Sequence, residues 1–585
     1  MKVKIILVSA LIIAVGASLI YFVPMSAAND KRTSVYNPPQ NGVAAVRYTS
    51  DRFRLVPLKW QTIVNNSFTM PNSERVFRSY GQPSINSNGT VAFRARSTGS
   101  GQRQTGIYYR QYPKGKIFEV ADLSTFVPYP NNLETKFQEF SAIPRIAANT
   151  DYIATRGNHQ PMYSYLLPDG SETRVGTTGI YVQYNGGLLF TGTAKIGMAP
   201  GFSYHAVPGT DPPVAFDVYP GAPAISDNGS IAFKGNFTVN NVGKTGIFYR
   251  ELLNTPSGGK ESIEMIASSD TDIPNAPPSF RAMTFGSTAP PSIYNDEVVF
   301  TGLDNEDNPN FGGIYLAPLA PTPKLRTLVG IGEPVPGIKM PGLTRIGEGL
   351  SFDGRYVAFW GAWGNETKTV RLFCPVDGNV NIIAYCEGVD PNSVFDPETG
   401  RWYQDKQVML NQGIFVYDIY AGHGYLISDT NNDFNDFTFW GYSGRPPGVG
   451  TEATGDEEEP PRWRSTAFIA ASNGVVVFKA RTGDQNENGE YINPIDGIYM
   501  RDGTFQTPIT VLVEVGMESS VLDPSIPGGV LPIVGVGIER DGFRGNKLAI
   551  TASMADAENG WGGIYIANIE RGPTILDDTI IKTKR

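Results

Sequence analysis

The residues whose types and spacing best suit chemistry lie near position 490. Asp484, Asn486 and Asn488 occupy alternate positions and precede a glycine, so their side-chain oxygens can converge on one Ca²⁺ ion. A calcium loop of this kind closes with an acidic residue at its twelfth position, which is Ile495 here, and Asp496 follows it. The segment predicts a weak calcium site, and calcium is the cofactor we expect. The alternative is that these residues only form a turn.

The chain contains two cysteines, Cys374 and Cys386, which lie close together in the sequence. In a protein bound for an oxidising compartment, such a pair predicts a local disulfide. The alternative is a pair of buried free thiols. Two cysteines alone do not supply the ligands of a metal site.

An insertion at residues 371–412 surrounds the cysteines and carries aromatic side chains among polar ones. Long insertions in a rigid repeat architecture usually lie at its rim, where binding residues concentrate. We therefore predict that Phe395, Trp402 and Tyr403 contact a sugar ring or a partner surface. The alternative is a stapled loop that packs its own aromatic side chains.

Signatures of catalysis are missing from the sequence. It has no Gly-x-Ser-x-Gly, no His-Glu-x-x-His and no phosphate-binding glycine loop, and only three histidines. Paired carboxylates for glycoside cleavage can still be present among the 57 acidic residues, because spacing does not reveal them. The formal net charge of -9, with no basic stripe, argues against nucleic acid as a partner. We predict no catalytic residue.

The N-terminus has the layout of a targeting segment. Lys2 and Lys4 precede an almost wholly apolar run at residues 5–23, and small residues follow up to Ala28. This layout predicts a secretory signal peptide at residues 1–28, with a retained N-terminal anchor as the alternative. Either way the protein is expected outside the cytoplasm, secreted or attached to the cell envelope, and contacts the membrane only if the anchor is kept.

The rest of the chain is built from repeats that share one triplet. A Gly-Ile-aromatic triplet recurs at Gly106-Ile107-Tyr108, Gly179-Ile180-Tyr181, Gly246-Ile247-Phe248, Gly313-Ile314-Tyr315, Gly413-Ile414-Phe415, Gly497-Ile498-Tyr499 and Gly563-Ile564-Tyr565. A fixed long period of this kind indicates a repeat architecture. Seven units are therefore expected.

Each unit reads as four short strands. Dipeptides such as Asn88-Gly89 and Asn228-Gly229 favour tight hairpin turns, and the following Val-Ala-Phe or Ile-Ala-Phe is typical of a strand buried on both faces. The Gly-Ile-aromatic triplet and a later segment provide two more strands. Four strands per unit predict an all-β protein, a seven-bladed β-propeller, and the alternative is a linear array of small β domains.

The order of segments favours a closed ring. Residues 61–64 resemble a segment that elsewhere ends a unit, so the N-terminal strand is expected to complete the last blade. The sequence therefore predicts a signal peptide or anchor at residues 1–28, a linker at 29–57, the propeller at 58–570 and a C-terminal tail at 571–585. Within the propeller, the insertion at 371–412 belongs to blade five, and residues 450–464 form an acidic loop.

One motif in the first unit resembles a known family. The pattern Asn86-x-x-Gly89-x-x-Ala92-Phe93 is similar to the tandem Asn-x-x-Gly-x-x-Ala-Phe repeats of bacterial exported surface proteins. In the third unit Ser226 replaces the asparagine. The resemblance implies an exported location and a propeller-like fold, and it brings no known activity.

These observations predict an exported propeller that binds a protein or polysaccharide partner through rim loops without catalysis. The first alternative is an extracellular hydrolase or lyase that acts on polysaccharide with carboxylates in the propeller cleft. The second is a structural component of a surface layer.

Overall fold

The structure is a computed structural model, and it describes residues 53–97, 104–113, 115–129, 135–166, 172–195, 205–253, 262–277, 283–376, 380–444, 461–504, 507–527 and 530–569. Within these ranges seven small antiparallel sheets follow one another along the chain and close into a ring. The predicted seven-bladed β-propeller is confirmed. The predicted signal peptide or anchor, the C-terminal tail and most of the acidic loop lie outside the described residues.

Blades one to three share one plan: an inner strand in two pieces, a long second strand, a third strand and an outer strand. The strands of blade one are β3 (Phe77–Tyr80), β4 (Ser84–Ile85), β5 (Thr90–Ser97), β6 (Thr105–Gln111) and β7 (Ile117–Asp122). Those of blade two are β8 (Phe137–Glu139), β9 (Arg145–Ile146), β10 (Tyr152–Leu166), β11 (Glu172–Tyr184) and β12 (Leu189–Lys195). Those of blade three are β13 (Phe216–Val218), β14 (Ala224–Ile225), β15 (Ser230–Val239), β16 (Val242–Glu251) and β17 (Glu264–Ser268).

Blades four and five follow the same plan, blade six has its inner strand in one piece, and blades five and six carry additional elements. The strands of blade four are β18 (Ser287–Thr288), β19 (Ser292–Tyr294), β20 (Glu297–Leu303), β21 (Gly312–Pro318) and β22 (Arg326–Gly330). Blade five has β23 (Leu343–Ile346), β24 (Ser351–Phe352), β25 (Tyr356–Phe373), helix α1 (Val380–Gly388), β26 (Val394–Asp396), β27 (Arg401–Asp418) and β28 (His423–Asp429). A separate hairpin of β29 (Thr438–Ser443) and β30 (Arg462–Ala467) precedes blade six, which has β31 (Ile469–Ser472), β32 (Val475–Gln485), β33 (Tyr491–Asp502) and β34 (Ile509–Glu514).

Blade seven is completed by the N-terminal part of the chain. Its own strands are β35 (Ile533–Gly537), β36 (Phe543–Arg544), β37 (Lys547–Ala555) and β38 (Gly560–Asn568). Strand β2 (Gln61–Asn65) pairs antiparallel with β38 as the outer strand, as the order of segments predicts. A further strand, β1 (Phe53–Leu55), pairs in parallel with β34 of blade six, within the segment predicted as linker. The N-terminal segment therefore joins blades six and seven.

The repeated triplet has a steric cause. In blade two the ring of Tyr181 folds back over Gly179, and a Cβ atom on that glycine would lie 2.5 Å from the tyrosine hydroxyl. The equivalent approach in blade seven is 2.6 Å, between Gly563 and Tyr565. Because a side chain at this position would collide with the aromatic ring, the strand requires glycine two residues before the buried aromatic.

The short inner strands hold the ring together near its axis. Each contacts the inner strand of the next blade, in the cyclic order β4, β9, β14, β19, β24, β31 and β36. Hydroxyl groups reinforce these contacts: Ser84 Oγ donates to the carbonyl of Pro144 at 2.7 Å, and Ser292 Oγ donates to that of Leu350 at 2.6 Å. Arginines add links between whole blades, since Arg94 Nη1 of blade one donates to the Phe140 carbonyl of blade two at 2.8 Å.

Within the described residues, no helix is long and apolar enough to cross a membrane.

Candidate functional site

The long hairpin of blade five carries the predicted insertion. Strands β25 and β27 each have 18 residues, and their pairing continues from Thr367↔Met409 to Phe373↔Tyr403, beyond the central Gly361↔Gly413 pair. We name residues 367–409 the blade-five extension. It comprises the end of this hairpin, helix α1 and the short strand β26, which pairs with the start of β27.

A disulfide fixes the extension internally. Cys374 and Cys386 are bonded, with their Cα atoms 5.9 Å apart, and the described part of the chain contains no free cysteine. The disulfide is buried with Ile382 and Tyr442, so the tip of the hairpin is tied to helix α1 and to the neighbouring β29–β30 hairpin. The sequence prediction of a local disulfide is confirmed.

One face of the extension is a stack of aromatic rings and guanidinium groups. The Arg371 guanidinium lies 3.8 Å from the centre of the Tyr403 ring, and that of Arg401 lies 4.1 Å from the Phe373 ring. Asp405 accepts two hydrogen bonds of 2.9 Å from Arg371. The Arg371 guanidinium therefore occupies one face of the Tyr403 ring.

The predicted binding aromatics therefore differ in their surroundings. Phe395 is 48% exposed, whereas Trp402 is half-buried against the disulfide cluster and lies 5.4 Å from Phe395 between ring centres. Tyr403 is half-buried in the stack with Arg371. The structure thus brings Phe395 and Trp402 together and leaves Phe395 accessible, and their role in binding stays a prediction.

Exposed aliphatic side chains accompany Phe395. Large apolar residues at least half exposed in this part of the extension are Val376, Val380, Val389 and Val394. Exposed large apolar side chains that form a contiguous patch are a feature of interaction surfaces, whereas single ones are common on any protein surface. We name Val376, Val380, Val389, Val394 and Phe395 the apolar group of the extension.

The predicted calcium residues lie on the β32–β33 hairpin of blade six. The Asn486 carboxamide oxygen accepts the backbone N–H groups of Asn488 and Glu490 at 3.0 and 2.9 Å, which is the geometry of an Asx turn. Asp496 lies farther along β33, where it pairs with Arg481 of β32. Arg481 is three residues from Asp484 along β32, so Asp484 and Asp496 are separated by roughly 10 Å along the hairpin. Asn486 and Asn488 are brought together by the turn, and Asp496 is not.

Asp496 already carries cationic partners. Arg481 Nε lies 2.6 Å from its carboxylate, and Lys479 Nζ lies 3.8 Å from it. Burial opposes the charged form, but these two cations outweigh it and lower the pKa of Asp496. Among the described residues, no group of three or more His, Cys, Asp and Glu side chains could hold a metal ion. Calcium binding stays a prediction.

A charged segment that the sequence analysis did not single out lies at the centre of the ring. Residues 538–542 join the two pieces of the inner strand of blade seven. The backbone carbonyl of Asp541 accepts from Ile85 of blade one at 2.8 Å, and that of Arg540 accepts from Ser351 Oγ of blade five at 2.7 Å. Arg540 Nη1 donates to the Pro290 carbonyl of blade four at 2.9 Å. We name Glu539–Asp541 the axial segment, because it reaches blades on several sides of the ring.

Five charged side chains form an alternating chain at the axis. Arg145 of blade two donates to Glu539 at 2.8 Å and pairs with Asp541, whose other oxygen pairs with Arg544. Glu539 also lies 3.4 Å from Arg540. The resulting order is Arg540, Glu539, Arg145, Asp541, Arg544, and we name it the axial charge chain.

The ionisation of this chain follows from its burial and its partners. Burial lowers the pKa of Arg145 to about 10, which leaves the side chain charged at neutral pH. Burial also opposes ionisation of Asp541, but Arg145, Arg544 and Arg540 outweigh it and lower the pKa of Asp541. Both side chains are therefore charged, and each holds the other in that state.

The charged residues of the axial segment can be recognised in the sequence when the repeats are compared with one another. The corresponding connections of blades one to four, residues 81–83, 140–144, 219–223 and 289–291, are uncharged, and that of blade five, residues 347–350, has the single charged residue Glu348. Glu539-Arg540-Asp541 stands out only when the same connection is compared in every blade. The partner Arg145 gives no such signal, because it lies 394 residues away from Glu539 in the sequence.

Comparisons with known proteins give distant structural similarity and no family. No family model and no curated protein matches the chain. The β-propeller domain of the Trilobed protease from Pyrococcus furiosus is 11% identical, over 84% of this chain and 96% of that one, with a TM-score of 0.34. An oligogalacturonate lyase in complex with manganese is 8% identical over 89% and 99%, with a TM-score of 0.35. The polysaccharide lyase Uly1 is 8% identical over 88% and 100%, with a TM-score of 0.38.

Proposed function

We propose that the protein is an exported β-propeller that binds a protein partner through the blade-five extension. The observation that carries this proposal is the apolar group of the extension, whose side chains are exposed on a segment held in place by a disulfide. The disulfide itself supports export, because such bonds persist in oxidising compartments.

Buried contacts under the extension support its use as a rigid binding surface. Asp390 is buried and accepts hydrogen bonds from Gln404 Nε2 at 2.7 Å and from the Tyr442 hydroxyl at 2.5 Å. Tyr442 belongs to the β29–β30 hairpin, so the extension is braced from a second element. A surface that is already ordered loses little conformational entropy when it binds, which favours affinity.

The chemistry of the exposed side chains favours a protein over a polysaccharide. Stacking on a sugar requires a free aromatic face, and the Arg371 guanidinium already occupies one of the two faces of Tyr403. The exposed group consists mainly of valines, which offer apolar area and no hydrogen bonds. Apolar contacts of this kind are typical of the centre of a protein–protein interface.

The axial charge chain does not favour catalysis on polysaccharide. A glycosidase needs one carboxyl group that keeps a proton and one that is ionised. At the axis, Asp541 is held ionised by arginines, and Glu539 lies 2.8 Å from Arg145. The carboxyl group of Asp541 is therefore not placed as a proton donor.

Site-specific cross-linking in the native host tests the proposal. A photoreactive amino acid is placed at Phe395 or, as the control, at Leu188, which is 80% exposed on blade two. We expect a discrete protein adduct at position 395 that is lost when Val394→Asp is added, and none at position 188. Equal adducts at both positions, or none at 395, would contradict the proposal. Retention on isolated envelope polysaccharide that Phe395→Ala abolishes would favour the polysaccharide alternative.

A further inference from the structure

The two ends of the axial charge chain are terminated differently. At one end, Arg540 Nη1 donates to the carbonyl of Pro290 at 2.9 Å, and Arg540 Nε faces the Glu539 carboxylate at 3.4 Å. At the other end, Arg544 contacts Asp541 through Nη2 alone. Its Nε and Nη1 atoms are buried and have no hydrogen-bond partner among the described residues. Arg544 is only 4% exposed, so solvent reaches almost none of it.

The charge of the chain is also unbalanced. Three guanidinium groups alternate with two carboxylates, and the groups whose charges act on Arg145 are the other four members of the chain. The group therefore carries one net positive charge. A buried charge without a counter-charge is costly, as are buried N–H groups without acceptors. The Nε atoms of Arg145 and Arg540 are also buried without a hydrogen-bond partner. Each of those guanidinium groups contacts two other groups, whereas among the described residues Arg544 pairs with Asp541 alone, so the larger deficit of acceptors lies at Arg544.

We infer that a small monovalent anion, with chloride as the abundant example, binds at the ring axis beside Arg544. The anion accepts hydrogen bonds from the unpartnered guanidinium N–H groups and neutralises the chain. A water molecule can accept the same hydrogen bonds but leaves the net charge in place. The burial of Arg544 excludes a polymer or a bulky organic anion from the site.

The site has a consequence for the ring as a whole. Arg145 belongs to blade two, whereas Asp541 and Arg544 belong to blade seven, and Asp541 bridges the two guanidinium groups. An anion that reduces the repulsion between these arginines strengthens the contact between the two blades. Because blade seven is the blade that closes the ring, occupancy of the site should stabilise the complete fold.

The test uses the full-length protein at constant ionic strength, with chloride replaced stepwise by gluconate. We expect the melting temperature to rise by several degrees with chloride and then to saturate, as binding to one site requires. The Arg544→Gln variant should lack this dependence. The control Arg501→Gln should keep it, because the Arg501 guanidinium already donates to the Ile427 and Thr507 carbonyls.

Crystals of the wild-type protein grown in bromide provide a readout that does not depend on a variant folding. An anomalous bromide peak in contact with Arg544 supports the inference. Any of three results would overturn it. These are no bromide peak at Arg544, a wild-type melting temperature that does not change with chloride, or a chloride effect in a folded Arg544→Gln protein as large as that in the wild type.

Discussion

The ring axis and the blade-five extension both depart from the repeat, and they differ in where the added side chains end up. At the axis, Arg145 and Asp541 are 1% and 5% exposed and hold charges in pairs. In the extension, Val380 and Phe395 are 74% and 48% exposed, and a disulfide holds the segment in place. Residues added toward the axis can serve the fold of the whole ring, whereas those added on the extension include side chains that stay exposed. Damage at the axis should therefore act globally, and damage at the extension locally.

Removal of the closing strands should produce the largest effect on the ring. Without residues 53–65, blade seven loses its outer strand β2 and blade six loses β1. Asp523, which accepts a buried hydrogen bond of 2.8 Å from Asn65, also loses this partner. Because a long sheet edge is opened, we expect loss of the single cooperative transition in urea unfolding followed by circular dichroism.

The control for this truncation is Arg110→Gln, which keeps both strands but removes the donations from the Arg110 guanidinium to the Ile63 carbonyl of β2 and to the Gly115 carbonyl, together with its contact with the Phe68 ring. We expect a single transition at a lower urea midpoint. A truncated protein that unfolds as cooperatively as the wild type would show that the ring does not depend on its closure.

Loss of charge at the axis should come next in size. Asp541→Asn leaves Arg145 and Arg544 buried with one counter-charge fewer, and breaking a buried pair in this way costs about 3–5 kcal/mol in the free energy of unfolding. The matched variant at the rim is Asp405→Asn, which breaks the pair with Arg371 where the Asp405 side chain is 37% exposed. For an exposed pair we expect about 1 kcal/mol or less. Urea midpoints of the two variants give the comparison directly.

The pH dependence adds a second check on Asp541. Its folded pKa is lowered below that of the unfolded chain, so its contribution to stability is present above the unfolded pKa and is lost as the pH falls through the folded one. The gap between wild type and Asp541→Asn should therefore narrow in acid. A gap that is constant down to the lowest pH would mean that the substitution acts through packing and not through charge.

The sequence predicts the parts of this contrast that are local. The Gly-Ile-aromatic triplets and Asn-Gly turns predict the blades, because each pattern is completed within one hairpin. The disulfide is predictable for the same reason, because its partners have a sequence separation of only 12. The axial charge chain joins residues from blades two and seven, and nothing near Arg145 in the sequence indicates which side chain it meets across the ring. Strand β1 has only three residues and no pattern that marks its parallel partner.

Loss of the disulfide should have a smaller and local effect. The chain-entropy model gives about 3 kcal/mol for a loop of this size, but most of that stabilisation applies to the extension. For the Cys374→Ser/Cys386→Ser protein we expect faster proteolysis between residues 380 and 396, with little change in the urea midpoint of the ring. The cross-link at position 395 should weaken in parallel. If the urea midpoint of the ring fell as far in this variant as in Asp541→Asn, damage to the extension would not be local, in contradiction to the prediction.

The smallest effect should come from the calcium site predicted at the loop that starts at Asp484 in blade six. Asp484 and Asn488 are exposed at the hairpin turn, whereas Asp496 is engaged by Arg481 and Lys479. Few charged ligands favour an affinity of about 10⁻⁴ to 10⁻³ M. Millimolar calcium would then add about 0.5–1.5 kcal/mol to the free energy of unfolding.

The choice of variant decides whether this experiment is informative. Asp496→Asn should destabilise the protein with or without calcium, because it leaves Arg481 without its carboxylate, so it cannot report on the ion. Asp484→Ala removes an exposed carboxylate from the turn while the Asn486 Asx turn is kept. We expect calcium to raise the melting temperature of the wild type by a small amount and to leave that of Asp484→Ala unchanged. If a chelator has no effect on the wild type, Asp484, Asn486 and Asn488 serve the turn alone.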